Sequence, residues 1–158
     1  GEAREANAPR WDFLGALPET ETDGDTLYVH ASPRRPVTEY LRPNKMAREE
    51  TCQDVFRRVD RRCFVGHTHV PGVFLDDGSF LSPENVDYCY EFGDRKAIVN
   101  VGSVGQPRDR DTRASYVLCG PEEMEFRRVS YPVEETMEKI RSVPELDNFL
   151  AQRLKQGR

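Results

Sequence analysis

Cys63-Phe64-Val65-Gly66-His67-Thr68-His69-Val70-Pro71-Gly72-Val73-Phe74 is the stretch on which the reading of this chain turns. A short apolar run stops at a glycine, two histidines follow one residue apart, and a second apolar run starts beyond Pro71-Gly72. This is the pattern of a strand that runs into a loop. In an extended segment residues i and i+2 project to one side, so His67 and His69 would face one centre while Thr68 points away. Gly66, lacking a Cβ, would let the backbone approach that centre. Neutral imidazole binds zinc, iron, manganese or nickel through either ring nitrogen. Two readings stay open on these residues alone: a metal-binding pair, or loop histidines satisfied by local hydrogen bonds.

Outward from this stretch, two more strand signals end in small-residue loops. Residues 26–29 stop at His30-Ala31-Ser32-Pro33, and the nearly continuous apolar run 97–101 breaks at Gly102-Ser103-Val104-Gly105. The chain has only 3 histidines, and two of these strand endings carry all of them. In open α/β sheets ligands gather outside the carboxyl ends of strands, which gives the three a common location. Residues 49–62 place Cys52, Val55, Phe56 and Val59 at helical spacing, predicting an amphipathic helix with Arg57, Arg58, Arg61 and Arg62 on a solvated face. The Asp-Gly step at Asp77-Gly78 predicts a hairpin. Strands are expected over 114–118 and 124–129, a short apolar helix or turn over 6–17, a polar joint over 19–25, and two helices in a carboxyl-terminal extension over 132–158. With no repeat or long linker, 1–158 reads as one unit.

Composition narrows the partners. The 158 residues carry 23 basic and 28 acidic side chains, a net charge of −5, so neither nucleic acid nor an anionic membrane is expected as the main partner. No apolar run approaches the roughly 20 residues of a spanning helix. The 4 cysteines are widely spaced with no Cys-x-x-Cys pair. Free thiols in a reducing cytoplasm are expected, with Cys52 and Cys119 at buried positions.

The three loops taken in order form a specific pattern. Val29-His30-Ala31-Ser32-Pro33, then Gly66-His67-Thr68-His69, then Asn100-Val101-Gly102-Ser103 resemble the last three motifs of the calcineurin-like metallophosphoesterases. The resemblance implies an α/β fold: the carboxyl-terminal part of a β-sandwich with a mixed sheet flanked by helices. It implies a dinuclear site of two divalent ions (Mn, Fe, Zn or Ni), with His30 and His67 on one ion and His69 on the other. Such ions lie about 3.5–4 Å apart, share a bridging hydroxide and hydrolyse a phosphate monoester or diester by in-line displacement. Arg108 would either meet the substrate phosphate through its planar fork or form a structural salt bridge with Asp109 or Asp111.

The family's earlier motifs have no counterpart here. The chain contains no Asp-x-His, no Gly-Asp-x-x-Asp and no Gly-Asn-His, so the bridging carboxylate, the asparagine ligand and the proton-donating histidine that they supply are missing. Three neutral imidazoles do not neutralise two dications. The expectation is a carboxyl-terminal part of the domain that lacks its amino-terminal half, is inactive alone, and exposes apolar strand edges. A non-catalytic phosphoesterase-like scaffold for protein binding, or a single-metal protein with a structural ion, are the alternatives. The insertion 75–96, with Phe80, Tyr88, Tyr90 and Phe92, would form either a wall that stacks on a base or an ordinary hairpin cluster.

Overall fold

The computed structural model describes residues 2–158, with side chains from Asn7 onward. Nine strands form two sheets. The larger is built from β1 (Thr20–Asp23), β2 (Thr26–Val29), β3 (Arg62–Val65), β4 (Gly72–Leu75), β5 (Phe80–Leu81) and β7 (Ala97–Asn100), in the order β1-β2-β3-β7-β4-β5. Its middle strands β2, β3 and β7 run parallel, whereas β1, β4 and β5 pair antiparallel. The smaller sheet is antiparallel, β6 (Cys89–Glu91), β9 (Glu123–Val129) and β8 (Ala114–Cys119) in spatial order.

Alternation along the strands splits the core in two. Cys63, Val65, Phe74 and Ile98 pack beneath α3 (Glu49–Phe56) and α2 (Pro43–Met46), whose Met46, Cys52, Val55 and Phe56 are buried against them. Phe64, Val73, Leu75 and Val99 point the other way, onto Met124 and Phe126 of the smaller sheet. Residues one apart thus serve opposite layers, as the pleat requires. This is the expected α/β sandwich with a mixed sheet. Two further helices, α4 (Val133–Arg141) and α5 (Asn148–Gln156), form a satellite hairpin around Met137, Ala151 and Leu154.

Several expectations are corrected. The helix expected over 49–62 stops at Phe56, and Arg62 belongs to β3. Its side chain is buried rather than solvated, donates to the Pro121 carbonyl and lies 4.1 Å from the Phe92 ring centroid. The polar joint 19–25 holds a strand, β1, whose four residues are all exposed. The outermost edge on that side is therefore polar, and the exposed apolar surface lies on a face instead. Residues 6–17 fall mostly within α1 (Glu2–Gly15). All four cysteines are free, but Cys63 joins Cys52 in the core while Cys119 is exposed at the carboxyl end of β8, whose last residues are largely open to solvent. No helix among the described residues is long and apolar enough to cross a membrane.

Candidate functional site

The parallel strands β2, β3 and β7 end side by side, so the loops that follow Val29, Val65 and Asn100 converge. Backbone bonds stitch them together: Gly66 N donates to His30 O at 2.9 Å and Val101 N to Val65 O at 2.9 Å. His30 Nε2 and His67 Nδ1 lie 2.9 Å apart. One ring donates and the other accepts when both are neutral. Nε2 of His67 is buried without a hydrogen bond, and the Tyr40 ring lies against that imidazole with centroids 4.0 Å apart.

The His-x-His segment is not extended. His67 and His69 both adopt positive φ, 60° and 62°, and Thr68 N donates to Gly66 O at 2.6 Å, closing a three-residue turn about His67. This conformation is strained for residues with a Cβ. It gives the two rings different partners: His67 meets His30, while Nδ1 of His69 lies 2.6 Å from the Gln106 carbonyl. That carbonyl accepts only from an N–H, so Nε2 of His69 carries the free lone pair. The extended i, i+2 geometry is thereby replaced by a turn in which His67 pairs with His30 and His69 with the Gln106 carbonyl.

Comparison with known proteins follows from this arrangement. No family model matches the sequence. Over 153 residues the chain is 37% identical to an uncharacterized protein of Methanocaldococcus jannaschii, covering 92% of this chain and 59% of that protein. A solved metallophosphoesterase from Sphaerobacter thermophilus matches with a TM-score of 0.81 and 34% identity, over 96% of this chain and 62% of that one. The chain shares the fold of that metallophosphoesterase and is similar to it in sequence, in line with the resemblance of its three loops to the calcineurin-like family. A hypothetical protein from Pyrococcus horikoshii OT3 shares the fold, with a TM-score of 0.70 at 18% identity, over 98% of this chain and 57% of that one. The chain spans about three fifths of the length of the relatives it matches.

The donors fit part of a metal shell. Two imidazole nitrogens bound at right angles to one cation, each at about 2.1 Å, lie about 3 Å apart, which is the His30–His67 spacing. The surroundings of His67 and His69 favour the neutral imidazole that a cation needs. Burial, then the neighbouring His30, push the His67 pKa down against a smaller pull from the Thr38 backbone. Burial also lowers that of His69, with the Gln106 backbone opposing and Arg108 adding to the fall. Among the described residues no group of three or more His, Cys, Asp or Glu side chains closes around one point. The pair therefore covers one side of a coordination shell and leaves the rest open.

Arg108 does not form the salt bridge weighed for it. Asp109 pairs with the buried Arg128, and Asp111 with Arg113 at 2.6 Å. The Arg108 guanidinium instead donates to the neutral Gln106 Oε1 at 2.7 and 3.2 Å, and its backbone N–H to His69 O at 3.1 Å. Of the residues weighed for a base-stacking wall, Tyr88, Tyr90 and Phe92 pack against the core between the two sheets, whereas Phe80 borders a recess beside the histidine loops.

Sequence reasoning gave no role to the residues that hold the loops, although Asn100 and Gly102 lie in the third of the quoted motifs. Asn100, fully buried, donates through Nδ2 to Gly66 O (2.7 Å) and Thr68 Oγ1 (2.8 Å), and accepts from Gly102 N (3.0 Å). A Cβ on Gly102 would come within 2.5 Å of Ser115 Oγ, so the turn below the site tolerates only glycine. Glu39 accepts from Ser32 Oγ at 2.6 Å and takes a bidentate grip from Arg34, which also reaches Asp54 on α3. The polar Asn ending an apolar run was the one available signal for the first of these. Glu39, placed in a loop, offered none.

Proposed function

We propose that this chain supplies the histidine side of a two-metal phosphoesterase site, with His30 and His67 on one divalent ion and His69 on the second. The observation that carries this reading is the 2.9 Å approach of His30 Nε2 to His67 Nδ1 at the ends of two parallel strands. Divalent cations held there, Mn, Fe, Zn or Ni by the chemistry of the donors, would supply the charge that makes water a nucleophile and stabilises oxygens displaced at phosphorus. The Gln106 carbonyl holds His69 in the tautomer that offers Nε2 outward. The Asn100 clamp keeps the strained His67 turn closed without help from the ligand. Arg108, bound to a neutral partner, retains its full charge for the phosphate.

The carboxylates that would complete this centre come from the part of the domain that the relatives carry outside the matched span, about two fifths of their length. A groove of about 1020 Å³, walled by Leu14, Leu17, Tyr28, Phe64 and Val117, leads to His30 and Gly66 and is where we seat that missing half. Its setting is the reducing cytoplasm, supported by the four free cysteines.

Calorimetric titration of the chain with Mn²⁺ tests the metal site. Binding is expected to be weak and to vanish in His67→Ala, and turnover of p-nitrophenyl phosphate is expected to be negligible. Binding that is indifferent to His67→Ala would remove the site. Brisk Mn²⁺-dependent turnover by the 158-residue chain would show that it needs no further ligands.

A further inference from the structure

A second recess, of about 480 Å³, opens beside the histidine loops. Thr68, the residue between the two site histidines, forms part of its lining together with Arg108, Arg42 and Tyr40, and Phe74 and Phe80 lie at its apolar end with ring centroids 4.7 Å apart. Its volume exceeds what a bare phosphate fills and falls in the range of small-molecule sites.

The charge of this recess is unusual for an acidic chain. Arg42 and Arg108 both face it, and neither makes an ion pair among the described residues; Arg42 lies 5.3 Å from the Tyr40 ring centroid, and Arg108 is held by a neutral amide. The nearby carboxylates are engaged elsewhere, Glu39 by Arg34 and Asp109 by Arg128. Unneutralised guanidinium groups beside an apolar, aromatic wall form a recognition surface with two parts: forks for phosphate oxygens, and flat faces for a ring.

We infer that this recess is the leaving-group pocket, and that it selects phosphate esters carrying a planar aromatic group of nucleoside size. Arg108 takes the phosphate next to the histidines. Tyr40, braced against His67 on one side and Arg42 on another, presents the surface on which the ring rests. The identity of the anion rests on the phosphoesterase reading above; the preference for a planar group rests on Tyr40, Arg42 and Phe80 alone. Sugar phosphates and glycerol phosphates fill the anionic part and leave the apolar end wet, so they bind more weakly.

The test is equilibrium binding of 5′-AMP, ribose 5-phosphate and adenosine to the 158-residue chain in EDTA, with a parallel Mn²⁺ titration. AMP is expected to bind about tenfold more tightly than ribose 5-phosphate, as base–aromatic stacking allows. Tyr40→Leu should erase most of that difference while leaving ribose 5-phosphate nearly unaffected; Arg42→Gln, which also removes a positive charge from the recess, should shrink the difference and weaken both phosphates modestly. Arg108→Gln should weaken both phosphates and spare adenosine. Circular dichroism of each variant controls for folding, and the Arg42 change, on an exposed side chain, leaves the core untouched. Equal affinity for AMP and ribose 5-phosphate overturns the inference. If Mn²⁺ still binds through His67 in that case, the metal reading survives. If His67→Ala leaves Mn²⁺ binding unchanged while the AMP preference holds in EDTA, the pocket stands and the metal reading falls.

Discussion

His67 and His69 at positive φ each carry a strain of about 1–3 kcal/mol, which persists only where the surroundings over-determine it. Asn100 does so, since one amide fixes the carbonyl before the turn, the hydroxyl within it and the amide of Gly102 in the next loop. Asn100→Asp replaces the donating amide with a carboxylate facing the Gly66 carbonyl, inside the core. The expected loss is about 2–4 kcal/mol, from groups left buried without partners, read as a lower urea midpoint with unchanged slope. A change below about 0.5 kcal/mol would mean that the turn holds without the clamp, since surface substitutions reach only that size. The histidines were legible in the sequence because their identity and order are local facts. The turn that carries them was not, because the i, i+2 rule assumes extended backbone, and positive φ at a histidine is imposed from Asn100, more than thirty residues away.

The loops after β2 and β3 are as important as the strands that carry them. Ser32, Arg34, Glu39 and Asp54 tie the segment after His30 to α3, and Tyr40, next to Glu39, is thereby set against His67. The Arg34 guanidinium, outweighing burial, holds the Glu39 carboxyl below the usual carboxylate range. Because the folded pKa is the lower one, this stabilisation is complete above the unfolded value, about 4.3, and disappears as pH falls through the folded value. Glu39→Gln should therefore lose about 3 kcal/mol near pH 7, in keeping with breaking a mostly buried pair, and converge with the native chain below pH 4. Urea midpoints across that range check it; a gap that widens on acidification would contradict the assignment. Strands with continuous apolar runs (β3, β4 and β7) were legible, as were β9 and the Asp77-Gly78 hairpin. β1 was not, since Thr20-Glu21-Thr22-Asp23 has no apolar face and owes its strand pairing to β2. The end of α3 was misjudged because Val59 and Arg62 continue the helical spacing while serving the turn and the next strand.

At the scale of the molecule, the sandwich is closed around Met124 and Phe126 but open toward β2, where Tyr28 stacks on Phe64 with ring centroids 5.5 Å apart and stays 42% exposed. Leu14 and Leu17 stand across the groove, each more than half exposed. An apolar groove of this size on a folded chain has a cost in water that covering it removes. The chain is expected to bind the dye ANS while keeping a cooperative unfolding transition, which separates a formed groove from a loosened core. Leu14→Lys combined with Leu17→Lys should lower the dye signal at least about twofold and suppress any concentration-dependent association. Val129→Lys, at an exposed apolar position outside the groove, should change neither. Equal effects from both substitutions would show that the dye reports general surface apolarity. A loss confined to the leucine pair would locate the exposed apolar surface at this groove, whose lining includes His30 and Gly66.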